Sequence, residues 1–157
     1  PSLKLSENVL LTCSMTAKLT KIGSIQRNFS EELTREIINK FDVKTDSTSS
    51  VASSLSGGNL QKFVIGRELL QNPKLLIINQ PTWGVDASAA AFIRQAIIDL
   101  AESGTAVVII SQDLDELIEV SDSFTALVGG RISDPKPMSG LKIRDIGQMM
   151  SGAMSYD

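Results

Sequence analysis

The sequence predicts an α/β fold in which parallel strands pack against helices, and three observations carry that prediction. Two short, continuously apolar runs, "KLLIINQ" and "TAVVIIS", have the length of buried strands rather than of helices. Between them "ASAAAFIRQAIIDLAESG" has the length and amphipathic spacing of a helix, with Gly104 as its stop. Further helical segments lie before and after, and the order helix, strand, helix, strand, helix describes a parallel sheet covered on both faces.

Taken in chain order, "ENVLLTCSMTAKL" has a mixed apolar pattern suited to a helix. "SEELTREIINKFDV" is a clearer one, with Ser30 as its expected N-cap, Glu31 and Glu32 in the first turn, and Leu33, Ile37, Ile38 and Phe41 on one face. The Ser/Thr/Asp-rich "KTDSTSSVASS" lacks core formers and reads as a surface loop. From Ser56 a helix carries Leu60, Phe63, Val64 and Leu70 and stops at Asn72-Pro73. After the two strands, "DLDELIEVSD" is a short helix, with Asp113, Asp115 and Glu116 complementing its dipole. "SFTALVGGRIS" reads as a hairpin turning at Gly129 and Gly130, and the tail holds one more short helix before it frays.

Composition narrows the function classes. The 157 residues, 42% of them apolar, suffice for one domain with a core. Fifteen Lys and Arg against 18 Asp and Glu give a net charge of -3, which offers nucleic acid no general basic surface. With no histidine there is no Ser/His/Asp triad and no His-ligated metal, and the single cysteine, Cys13, cannot complete a zinc site or an internal disulfide. That cysteine count fits a reducing interior. No apolar run reaches the ~20 residues that span a bilayer, so a membrane role is expected to run through a partner.

Ligands of parallel sheets bind at the carboxyl ends of the strands. The edge residues are Asn79 and Gln80 after the first strand, and Ser111 and Gln112 after the second. A second candidate is "LSGG", Leu55 to Gly58. It places a hydroxyl and two unhindered backbone N–H groups at a helix start, where the positive dipole end can hold a phosphate. The same residues also suit a bland serine N-cap followed by two glycines in a tight turn.

Order and spacing decide between these. "LSGGNLQK", a helix, "NPKLLIINQPTWGVD", a helix ending in glycine, then "VVIISQDLDE" together resemble the later part of an ATP-binding cassette (ABC) ATPase domain. The resemblance implies a partial P-loop NTPase-like fold with a helical subdomain on its N-terminal side. Residues 1–72 would be that subdomain with the signature motif, 73–135 the Walker B, D-loop and switch part of the core, and 136–157 a C-terminal helix and tail. "SENVLL" and "DIGQMMSG" also look like the second cassette of importers for simple sugars and nucleosides.

The resemblance assigns roles residue by residue. Ser56, Gly57, Gly58 and Asn59 would be the signature, which serves the ATP held by a partner cassette. Asn59 stands where the family often has Gln. Leu75 to Gln80 would be the Walker B strand, Asp86 the D-loop carboxylate that couples the two sites, and Gln112 the switch position. Asp86 also suits the N-cap of the helix that follows. Trp83 is expected to pack beside the D-loop rather than to stack on a base.

Three of these positions depart from the family pattern. Its Walker B strand ends in Asp, which helps hold Mg²⁺, and Glu, which positions or deprotonates the attacking water. Asn79 and Gln80 bring no negative charge and no useful basicity. Gln112, where the family has His, lacks a titratable ring. The chain's own site is therefore expected to hydrolyse poorly.

No G-x-x-x-x-G-K-[ST] loop occurs, because no Gly here is followed by Lys. The chain thus looks like a piece that begins after the glutamine loop. ATP and Mg²⁺ are expected in the intact parent, with neither held tightly by this chain alone. Transmembrane permease subunits and a second ABC cassette are the expected partners, self-association into a homo-oligomer is expected too, and the location is cytoplasmic at the inner face of the membrane. The rival is a stand-alone, non-catalytic cassette remnant acting as a binding or regulatory module. A non-transport ABC role in repair or translation fits the acidic balance less well.

Overall fold

A computed structural model describes residues 2–13, 20–21 and 24–152 of the chain. They fall into two compact units, Pro1–Ile110 and Ser111–Asp157. In the first, the elements run α1 (Leu5–Cys13), β1 (Thr20–Lys21), β2 (Ser24–Ile25), α2 (Arg27–Lys40), a single 3-10 turn (Ala52–Ser54), α3 (Gly57–Leu69), β3 (Leu75–Asn79), α4 (Ala87–Glu102) and β4 (Ala106–Ile110). β1 and β2 form a small antiparallel pair.

β3 and β4 pair in parallel, with Leu75 opposite Ala106 and Asn79 opposite Ile110. The ladder is anchored at its start, where Thr105 Oγ1 donates to the Pro73 carbonyl at 2.8 Å and Ala106 N–H to the Lys74 carbonyl at 3.1 Å. α4 makes the crossover and ends as its sequence predicts. Gly104 takes φ +99°, its N–H donates to Ala101, and Thr105 N–H reaches back to Leu100, a Schellman stop that a side-chain-bearing residue fits badly.

The core of this unit joins α1 (Leu5, Val9, Cys13), α2 (Ile37), α3 (Phe63, Leu69), α4 (Ile93, Ile97) and one face of the strands (Leu76). α2 carries its apolar stripe as expected, with Ile37 and Phe41 buried and Leu33 and Ile38 packed against the core. Gly66 lets it sit close: a Cβ there would lie 2.5 Å from Phe41 Cδ2.

Two expectations are revised. Ser30 is not an N-cap, because α2 starts at Arg27 and Ser30 lies inside it, buried, its hydroxyl donating to the Ser6 carbonyl of α1. The hydroxyl ties two helices instead of ending one. The strands are covered on one face only, since Leu75, Ile77, Val108 and Ile110 on the other are 46–63% exposed. Of "ENVLLTCSMTAKL" the part up to Cys13 is helical as expected, and the remainder lies outside the described residues.

The second unit contains α5 (Leu114–Val120), β5 (Ser123–Phe124), β6 (Leu127–Val128), β7 (Arg131–Ile132), β8 (Lys136–Pro137) and α6 (Ile143–Met150). β6 and β7 form the expected hairpin, and Gly129 and Gly130 both adopt positive φ (+57° and +78°), as a type I′ turn demands. β5 pairs with β8, a pairing too short to leave a periodic signal. Phe124, Ala126, Ile146 and Met149 form a separate small core. Asp113 caps α5 by accepting the Glu116 N–H at 3.1 Å, and Asp115 and Glu116 lie in the first turn that follows. Among the described residues no helix is long and apolar enough to cross a membrane.

Candidate functional site

β3 brings Asn79 and Gln80 to its carboxyl end. Asn79 is exposed, and Gln80 N–H adds one further bond to the parallel ladder by donating to the Ile110 carbonyl at 2.8 Å. Gln80 then turns the chain with φ +51°, a conformation that costs a residue other than glycine about 1–3 kcal/mol. The turn is closed by Trp83 N–H on the Gln80 carbonyl at 3.2 Å. Trp83 itself is 75% exposed, so the expected packing role is not found.

Ser56 caps α3, and its Oγ accepts the Asn59 N–H at 3.5 Å and the Asn59 side-chain N–H at 2.9 Å. Gly57 and Gly58 supply the first backbone N–H groups of a 13-residue helix, where the dipole favours an anion. The glycines serve packing as well. A Cβ on Gly57 would sit 3.4 Å from the Gly84 carbonyl oxygen, and one on Gly58 would sit 3.2 Å from Ala89 Cβ and 3.3 Å from Asp86 Oδ2. The start of α3 and the start of α4 therefore meet through these two residues.

Asp86 caps α4. Its Oδ1 accepts the Ser88 hydroxyl at 2.7 Å and the Ala89 N–H at 2.9 Å, and these bonds hold its carboxyl below the ordinary carboxylate range. Oδ1 is thus taken up at the start of α4, while Oδ2 is the oxygen that lies nearest Gly58.

Two contacts could not be found in the sequence. Gln61 Nε2 donates to the Pro81 carbonyl at 3.0 Å and ties α3 to the turn after β3. Lys44 N–H donates to Asn59 Oδ1 at 2.7 Å and ties the same helix to the loop before it. The partners lie 20 and 15 residues apart in the chain, and no periodicity reports such pairs.

Ser111 and Gln112 open the second unit. Ser111 Oγ accepts the Asp113 N–H at 3.0 Å, and Gln112 is exposed. Among the described residues, no group of three His, Cys, Asp or Glu side chains could hold a metal ion. At the β3 edge only amide oxygens are on offer.

Comparison with known proteins gives this arrangement its context. No family model matches the chain. It is 36% identical over 147 residues to the nucleoside import ATP-binding protein NupA of Lactococcus lactis, covering 94% of this chain and 29% of that protein. It is 33% identical over 149 residues to the guanosine import ATP-binding protein NupO of Bacillus subtilis, covering 95% of this chain and 29% of that protein. The chain thus spans less than a third of the length of these relatives. In fold it matches the ATP-binding cassette MJ0796 in a dimeric state bound to ADP and Pi, with a TM-score of 0.72 at 23% identity over 88% of this chain and 58% of that one. Both relatives are matched over almost the whole of this chain, the fold agrees, and the chain belongs to the family of ABC transporter ATP-binding proteins.

Proposed function

We propose that this chain is part of a longer ATP-binding protein of an ABC importer for sugars or nucleosides, and that it grips nucleotide in trans while its own edge is unfit for hydrolysis. The single observation behind this is the contrast within the first unit. Ser56, Gly57 and Gly58 form an intact, outward-facing donor cluster at the start of α3, whereas the end of β3 presents the amides Asn79 and Gln80.

On this reading Ser56 O–H and the Gly57 and Gly58 N–H groups donate to the γ-phosphate of an ATP held by a second cassette. Asp86, at the meeting point of α3 and α4, carries changes at one site to the other. The protein's own site, completed by the rest of the parent, gains neither charge for Mg²⁺ from Asn79 nor a base from Gln80, and Gln112 adds a neutral donor at most. ATP and Mg²⁺ belong to the intact parent, and the chain alone holds neither tightly. The partners are permease subunits and a second cassette, and the location is cytoplasmic, against the inner face of the membrane.

The gene sequence upstream of Pro1 gives the first test. An in-frame G-x-x-x-x-G-K-[ST] loop is expected there, and a native start codon in its place would favour a stand-alone remnant. The purified chain should release no phosphate from Mg-ATP above a no-protein blank. Release that disappears in Ser56→Ala would overturn the silent-edge reading. In the intact parent, trapped radiolabelled ATP should persist at one site while the other turns over.

A further inference from the structure

We infer that Asn59 is a positioning residue that makes Ser56 an obligate hydrogen-bond donor, so that the start of α3 accepts only ligands offering acceptor oxygen. The inference rests on the proposed reading of Ser56 as a nucleotide contact and adds the device that sets its polarity.

A serine hydroxyl has one proton and two lone pairs, and left alone it rotates to suit either a donor or an acceptor. Here both lone pairs are engaged from one residue. Asn59 Nδ2 donates to Ser56 Oγ at 2.9 Å, and the Asn59 backbone N–H does so more weakly at 3.5 Å. The hydroxyl proton is what remains, and among the described residues it has no acceptor.

The orientation of an amide is normally ambiguous, because its oxygen and nitrogen are alike in shape. Lys44 removes the ambiguity. Its backbone N–H meets Asn59 Oδ1 at 2.7 Å, so the oxygen faces Lys44 and the NH₂ group must face Ser56. Lys44 is backbone-tethered rather than held by a flexible side chain, which makes the setting rigid. An anion then meets three donors, Ser56 O–H and the N–H groups of Gly57 and Gly58, with no hydroxyl lone pair turned toward it. A hydroxyl free to rotate would spend part of its time presenting that lone pair.

The test uses the intact polypeptide in which the chain is placed above, titrated calorimetrically with adenylyl imidodiphosphate and Mg²⁺. Ser56→Ala should weaken binding by about tenfold, the effect of one hydrogen bond to a charged group. Asn59→Ala should weaken it in the same direction. In a Ser56→Ala background it should add less than about twofold, since coupled residues are not additive. Asn59→Asp keeps an acceptor for Lys44 but turns a carboxylate oxygen toward Ser56 Oγ, which takes up the hydroxyl proton and adds negative charge beside the phosphate, so it should weaken binding more than the alanine variant.

If Ser56→Ala has no effect, the nucleotide-contact reading fails. If Ser56→Ala weakens binding while Asn59→Ala and Asn59→Asp do not, the positioning role is overturned. It is equally overturned if Asn59→Ala costs as much without Ser56 as with it. Should the Asn59 variants not fold, the Asn59 side-chain NH₂ resonance of the 157-residue chain decides. It should shift on Ser56→Ala, and an unmoved signal rejects the contact.

Discussion

Asp86 shows how one carboxylate can serve two neighbours. Its Oδ1 is fixed by Ser88 and Ala89 at the start of α4, and its Oδ2 lies against the position a Gly58 Cβ would fill. The Ser88 hydroxyl, followed by the Ala89 N–H, lowers its pKa in the folded state. The unfolded carboxyl titrates at about 3.9, so Asp86 stabilises the fold above that pH, and the contribution is lost as pH falls through the lower folded value. Asp86→Asn should therefore lower thermal stability at neutral pH and flatten the loss of stability as pH falls below about 4. Melting curves across that range check it, and parallel curves for the two proteins would show that the ionised form is not favoured. Cys13 behaves oppositely. Burial is the main cause that raises its pKa, so iodoacetamide should label it slowly in the native chain and quickly in denaturant.

At the scale of elements, α3 depends on glycine where its neighbours come nearest. Gly66→Ala would drive a methyl to 2.5 Å from the Phe41 ring, too close for either to yield without moving α2. The expected cost is about 1–3 kcal/mol in urea unfolding. Gly58→Ala meets softer contacts at 3.2 and 3.3 Å and should cost less in stability, while it shifts the start of α3 away from α4. Equal losses from the two would show that the Phe41 contact is not the tight one. β3, α4 and β4 were legible because their signals are local: unbroken apolar runs, an N-capping aspartate and a stop glycine. The β6–β7 hairpin was legible for the same reason, its turn needing two positive-φ residues. Ser30 misled because a serine before two glutamates looks the same whether it caps a helix or bridges to another. At the candidate site Ser56, Gly57, Gly58 and Asp86 stood out as caps and glycines. The ties from Lys44 to Asn59 and from Gln61 to Pro81 did not, because backbone partners carry no residue code.

For the molecule as a whole, the one-sided sheet is the dominant physical fact. Leu76 and Ile78 on β3, with Val107 and Ile109 on β4, pack into the core, while Leu75, Ile77, Val108 and Ile110 line the opposite face in register. Four exposed, branched apolar side chains on a rigid ladder form the kind of patch that soluble monomers seldom leave bare. Both outer edges of this two-stranded sheet also lack a strand partner among the described residues, which adds a template for pairing. The chain alone should therefore self-associate with rising concentration and bind the dye ANS. Sedimentation velocity over a hundredfold concentration range would detect it. Ile77→Lys with Val108→Glu should restore a monomer and abolish dye binding with little change in thermal stability, because neither side chain is buried. A wild-type chain that stays monomeric and dark to the dye would mean that this face is less sticky than its composition demands. A double variant that unfolds would mean that the face already carries part of the fold.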